Sequence, residues 1–146
     1  MPQNCPPSRA EEKFSPSFPV GAGPSPLWAV LWEPSAQLHI RASDKYPRGY
    51  GHKLMWVIDP TGPAKGLTVR GWNLSTGKKV WFDLENTTGA NGEAGTTVHL
   101  DRARGTEEGT GWTQFPGAVY FPSSGCYVFF ARWSRGGWLL PVSVGK

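Results

Sequence analysis

Two cysteines, three histidines and eight tryptophans are the residues of this chain with the most chemical range. Cys5 lies in "NCPP" near the start, and Cys126 lies in "FPSSGCYVFFARW" near the end. A zinc site needs about four Cys or His ligands, usually with close pairs. Neither cysteine has a ligand neighbour in sequence, and His39, His52 and His99 are scattered. A blue-copper site needs a histidine shortly after its cysteine, and none follows position 126. A catalytic histidine needs a nucleophile and an orienting carboxylate. Asp44 is near His52, but the chain has no G-x-S-x-G elbow.

The carboxylates Asp83, Glu85, Glu93, Asp101, Glu107 and Glu108 show no spacing that singles out the facing pair a glycosidase needs. They also lack the D-x-D-x-D-G pattern of a calcium loop. The expectation is no catalytic residue, no metal, no cofactor and no enzyme. For the cysteines, two readings stand. One is a disulfide in an exported chain, closing a loop of about 120 residues and contributing on the order of 4–5 kcal/mol in the chain-entropy model. The other is two unrelated thiols, one buried and one on an N-terminal arm.

The stretch 66–84, "GLTVRGWNLSTGKKVWFDL", offers a binding site instead of a catalytic one. "STGK" at 75–78 suits a four-residue hairpin loop, with Gly77 available for positive φ. That register pairs Leu74 with Lys79, sets Trp72 opposite Trp81, and faces Arg70 toward Asp83. Val69 with Leu84, and Gly71 with Phe82, take the core side. Two outward indole rings beside polar partners suit stacking on a sugar ring or a base. Trp72, Trp81, Arg70 and Asp83 are therefore the candidate ligand-binding residues. The competing reading buries one face of the hairpin under a loop or the second sheet, because tryptophan is usually highly buried.

These residues must be held by strands. Short apolar runs at 27–32, 37–41, 52–58, 66–73, 79–84, 96–100, 117–121, 125–132 and 137–144 alternate with turn-forming clusters. No window carries a helix-period stripe. Strands at this spacing predict an all-β antiparallel sandwich. Residues 1–26, rich in Pro and Ser, read as an extended arm, and 27–146 as the sandwich domain. The segments 42–51, 85–95 and 101–114 read as polar loops.

Alternation assigns faces. Leu54, Trp56 and Ile58 point to the core, with Lys53, Met55, Val57 and Asp59 opposite. Trp138, Leu140, Val142 and Val144 point inward, and Pro141 marks an edge position. Tyr127, Phe129 and Ala131 form the core side of their strand, which turns Cys126, Val128 and Phe130 outward as an apolar stripe. Phe14 and Phe18 of the arm are expected to cover that stripe.

Charge narrows the partners. The net charge is +4 and the pI about 9.3, but the basic residues are dispersed. Clustering is what marks nucleic-acid binders, so none is expected as a partner. No apolar run approaches the ~20 residues of a spanning helix. The first 19 residues lack the apolar centre of a signal peptide, so export requires a leader already removed. "NLS" at 73–75 (Asn73, Leu74, Ser75) and "NTT" at 86–88 match the glycosylation acceptor pattern, which matters only in a eukaryotic secretory chain.

"NCPP", "SPLWAVLW", "GHKLMWVIDP…GLTVRGWNL" and "FPSSGCYVFFAR…GWLLPVSV" together resemble a group of uncharacterised bacterial exported proteins. That group carries an early Cys, a Leu-Trp strand, a glycine-bearing strand pair and a late P-x-x-G-C-[Trp/Tyr]. The resemblance implies an immunoglobulin-like β-sandwich outside the cytoplasm, with Cys5 and Cys126 in the matching positions, and implies no activity. Positions matching Val128 and Phe130 tend to be polar in the group, so a covering arm or partner is expected here. The resulting expectation is an extracellular or cell-envelope binding or adhesion module, with a cell-surface polysaccharide or a protein as ligand. The alternative is a structural or assembly protein that pairs through its arm or an edge strand.

Overall fold

The structure, a computed structural model, describes Cys5 and residues 21–23, 25–30, 37–84, 95–108 and 111–145. Eleven strands are named within them: β1 Leu27–Val30, β2 Gln37–His39, β3 Lys45–Tyr46, β4 Gly49–Ile58, β5 Thr68–Asn73, β6 Trp81–Leu84, β7 Val98–His99, β8 Thr106–Glu108, β9 Trp112–Phe121, β10 Gly125–Trp133 and β11 Gly136–Gly145. The only helices among the described residues are two single 3-10 turns, Ala42–Asp44 and Arg102–Arg104. The strands form two sheets. Sheet A runs β1-β4-β9-β6, with β3 added to β4 and β8 to β9. Sheet B runs β2-β11-β10-β5-β7. The pairs are antiparallel except β2 with β11, which is parallel.

The all-β sandwich expected from strand spacing is what forms, and its core follows the alternation read from sequence. Leu54, Trp56 and Ile58 from sheet A meet Tyr127, Phe129, Ala131, Leu140, Val142 and Val144 from sheet B in one buried cluster. Trp56 stands edge-on to Phe129, centroids 5.6 Å apart. The Tyr127 hydroxyl donates to the Ser123 carbonyl at 2.8 Å, clasping the start of β10 to the preceding turn.

Cys5 and Cys126 are bonded, with Cα atoms 5.3 Å apart, within the range a disulfide spans without moving the backbone. This leaves no free cysteine. Val128 is buried and Phe130 half-buried beside it. Phe14 and Phe18, expected to cover that stripe, lie outside the described residues, as does the 85–95 loop up to Ala94. The last described part of the segment read as an arm already joins the sandwich: Ala22 is in the core and exchanges backbone hydrogen bonds of 2.8 and 2.7 Å with Ala29.

Three expectations need correction. The 42–51 and 101–114 segments are not simple loops, since they hold β3, β8 and the first residues of β4 and β9. β9 also takes in Pro116, between the expected loop 101–114 and the expected strand 117–121. Among the described residues, β6 pairs with β9 only at Gly117–Tyr120 and β8 only at Trp112–Gln114. Pro116 falls between those two stretches, where no described partner asks it for a ladder N–H, and pairs with Met55 of β4 on the other side.

Pro141 follows the same rule in a different place. Its strand is interior to sheet B, and among the described residues β2 pairs only with Ser143–Gly145, so no described residue flanks β11 on that side at Pro141. Finally, Met55 and Val57 take the outer side of β4 as expected, with Asp59 just past its end, and all three are buried. Val30, Met55 and Val57 make a second small cluster packed by Trp28 and Trp112.

Candidate functional site

The predicted hairpin does not form as drawn. The loop at 74–77 does close, with Gly77 at φ 71° and a backbone bond from Asn73 N–H to Lys78 O of 2.8 Å. Its register differs by two residues: Trp72 bridges Lys79, not Trp81. The Val80 N–H still donates to Gly71 O at 2.9 Å. Beyond Val80 the chain leaves sheet B, and Trp81–Leu84 pair with β9 in sheet A.

Buried Asn73 drives the tight turn, its side-chain oxygen accepting from the Ser75 and Thr76 amides at 2.8 and 3.0 Å. The four expected residues consequently face outward in two separate places. Trp72 and Arg70 lie on the outer face of sheet B, where Trp72 packs on Phe130 with centroids 6.4 Å apart. Trp81 and Asp83 lie on the outer face of sheet A. The pairs Trp72–Trp81 and Arg70–Asp83 do not exist, because a strand that changes sheet cannot keep its cross-strand partners.

What Trp81 and Asp83 meet instead comes from a segment read as a loop. β3 and β4 form a tight hairpin around Pro47 and Arg48, with Tyr46 opposite Gly49. Gly49 takes φ +124°, and a Cβ there would collide with the Phe121 backbone, so the turn requires glycine. The registers β4–β9 and β9–β6 then align Gly51, Tyr120 and Trp81 in one row, and Lys53, Ala118 and Asp83 in the next. Tyr46, opposite Gly49, reaches the first row through its ring, which stands edge-on to Tyr120 at 5.8 Å. The Arg48 guanidinium lies over the Trp81 ring, 4.6 Å from the centroid, a distance at which a cation is attracted to the ring quadrupole. At the side, Lys45 sits 5.7 Å from the Tyr50 centroid.

Two adjoining depressions open on this face. One, of about 310 Å³, is lined by Tyr46, Pro47, Arg48, Asp83 and Tyr120. The other, of about 270 Å³, shares Tyr46 and Tyr120 and adds Asp44, Gly51, His52, Lys53 and Ala118. Gly51 makes the floor between the two tyrosines: a Cβ there would stand 3.2 Å from both rings. The arrangement offers aromatic faces and edges, a fixed guanidinium and carboxylates, which together suit a polyhydroxylated ligand. The sequence signal for it was present in "KYPRGYG" (45–51), two tyrosines flanking a Pro-Arg-Gly turn. Only the β4–β9–β6 register shows that they meet Trp81 and Asp83.

The remaining reactive residue types are placed elsewhere or are tied up. His39 and His99 are exposed, and His52 Nδ1 lies 2.8 Å from the Lys53 carbonyl. Among the described residues no three His, Cys, Asp or Glu gather to hold a metal ion. No helix among them is long and apolar enough to cross a membrane.

A second polar network, unsuspected from sequence, closes the far end of sheet A. The buried Asp59 carboxylate accepts from Ser25, from the Thr61 amide and hydroxyl, and from Trp28 Nε1. Burial works to raise its pKa, but these hydrogen bonds outweigh burial and hold it below the ordinary carboxylate value. Arg102 donates to the Asp59, Gly62 and Gly111 carbonyls and to Thr113 Oγ1. That is a latch between loops, with its donors consumed by the protein. Comparison with protein-family models, curated proteins and solved structures gives no match to this chain.

Proposed function

We propose that this chain is an exported, non-catalytic binding module that takes a carbohydrate, in the setting of a cell-surface polysaccharide, on the outer face of sheet A. The observation that carries the proposal is the row Gly51–Tyr120–Trp81 with the Tyr46 ring edge-on to Tyr120, Arg48 held over the indole and Asp83 one row away. Pyranose rings present apolar C–H faces that stack on aromatic rings, while their hydroxyls need donors and acceptors at the rim. Arg48 supplies donors and Asp83 acceptors, and both line one depression.

Export is supported by the Cys5–Cys126 bond, since disulfides persist in oxidising compartments. The likeness to bacterial exported sandwiches of immunoglobulin-like form belongs to the same reading. Trp81 and Asp83 stay in the proposed site. Trp72 and Arg70 leave it, because they lie on the other sheet.

The test is isothermal titration against a panel of soluble glycans, run with Trp81→Ala and Tyr120→Ala. Binding by the parent and loss of at least about tenfold affinity in either variant, with unchanged near-ultraviolet circular dichroism, is expected for stacking contacts of this kind. Full retention of affinity in both variants would overturn the site.

One observation favours a second reading, assembly with another chain. Leu139 on the outer face of sheet B is 61% exposed and lies opposite Phe130, whose other side packs on Trp72. Sedimentation equilibrium over a hundredfold concentration range tests it. A concentration-dependent oligomer dispersed by Leu139→Lys supports assembly, and a monomer throughout rejects it.

A further inference from the structure

We infer that the ligand on sheet A is a linear, uncharged glycan of at least two sugar units, seated with one unit in each of the two depressions. The inference rests on the carbohydrate reading and deepens it.

Three features carry it. The first is continuity. The depressions share Tyr46 and Tyr120 as a common wall, and the edge-on tyrosine pair offers ring surface to both sides. A ligand filling only one side would leave the other depression, of similar volume, without a purpose in binding.

The second is the floor. Gly51 in the aromatic row and Ala118 in the Lys53/Asp83 row are small residues on adjacent strands, and both line the second depression. The missing side chain at Gly51 lets the two tyrosine rings that wall both depressions settle close to the sheet, where any Cβ would press on both.

The third is charge. One depression carries Arg48 and Asp83, the other Lys53 and Asp44. Each therefore presents one cation and one carboxylate. A polyanionic chain would gain one attraction and meet one repulsion per unit, with desolvation of its own charges added. A neutral chain finds donors and acceptors in both places and meets no repulsion. Arg48 is also partly committed to Trp81 by its position over the ring, which lowers its value as a carboxylate clamp and leaves it oriented for hydroxyl oxygens. Both depressions are shallow and open along the sheet, so they accept the interior of a chain as readily as an end.

The experiment uses the full chain with its disulfide intact. The probes are neutral β-1,4-linked glucose and N-acetylglucosamine oligomers of one to six units, and galacturonate oligomers of the same lengths. Affinity is read by titration calorimetry at about 50 and 300 mM salt. The expected result is at least a tenfold gain from one to two units of a neutral series, since the second contact becomes intramolecular. The gain should level off after two or three units and change little with salt.

Asp83→Ala and Lys53→Ala test the two seats separately. Each should reduce a disaccharide toward the affinity of a single sugar, while Tyr120→Ala should weaken both lengths. These side chains stand on the outer face, so their loss should not unfold the chain, and thermal melts check that.

The outcomes separate. A single sugar bound as tightly as its oligomers overturns the two-seat inference alone. Tighter, salt-sensitive binding of galacturonate overturns the uncharged assignment alone. No heat or chemical-shift change with any glycan overturns the carbohydrate reading, and this inference with it.

Discussion

Replacing both cysteines, Cys5→Ser together with Cys126→Ser, should lower the melting temperature by about 6 to 16 °C. The bond links positions 121 residues apart. Cross-linking a loop of that length removes unfolded-chain entropy equivalent to about 5 kcal/mol at 25 °C. That upper limit applies when the segment between Cys5 and the sandwich keeps its place without the bond.

The lower limit applies when the bond alone tethers it. The native protein then also gives up closure entropy for the ~16 residues from Cys5 to Gly21, about 3 kcal/mol on the same scale, leaving about 2 kcal/mol. A chain of 146 residues unfolds with an entropy of about 0.3 kcal/mol/K near its midpoint. The two limits therefore convert to about 16 and 6 °C.

Scanning calorimetry of parent and double variant measures the difference. Alkylation followed by mass determination, with and without reductant, confirms the bond. Deleting residues 1–20 from the double variant then separates the limits, because further loss of stability shows contacts made independently of the sulfurs. A shift below about 3 °C would refute the reasoning, as would full alkylation of both thiols in unreduced protein.

Three further outcomes follow from buried contacts. The Asp59 pKa lies below its ordinary value, so its hydrogen bonds stabilise the fold above the unfolded-chain pKa and are lost as pH falls through the folded value. The difference in unfolding free energy between parent and Asp59→Asn should be about 1.5–3 kcal/mol at pH 7 and shrink below about pH 4, measured by urea titration. Arg102→Met strips donors from three backbone carbonyls and Thr113 Oγ1 and should cost about 2–4 kcal/mol by the same assay. Gly71→Ala places a Cβ 2.7 Å from Val80 Cγ2 and 2.8 Å from Phe129 Cδ1. It should cost about 1–3 kcal/mol by overpacking, measured as a lowered midpoint in thermal melts against Gly77→Ala, which meets no atom within 4 Å and carries only backbone strain.

The candidate site was half legible in the chain. Trp81 and Asp83 were singled out as outward residues by alternation, and that orientation holds. Their partners were assigned by assuming that strands adjacent in sequence pair with each other. Val80 breaks that assumption: it is buried in the main cluster between a residue bridged in sheet B and a strand paired in sheet A. No local signal at 78–81 announces the crossing, since a strand that changes sheets keeps the same alternation. Tyr46, Arg48 and Tyr120 were missed because a Pro-Arg-Gly turn reads as loop, and its aromatic neighbours gain meaning only from a register set 69 residues away, Gly51 against Tyr120.

Composition and period-two patterning were enough to establish an all-strand chain, the inward residues of β4, β10 and β11, and the turn at Gly77. These are local properties, set by which side chains can leave water on one face of a pleated strand. Which strands share a sheet, which strands hold Pro116 and Pro141, and which outward residues become neighbours were decided only in three dimensions. The cause is that burial is the same on either sheet, while hydrogen-bond partners and cross-strand neighbours depend on the global arrangement that packs all the strands at once.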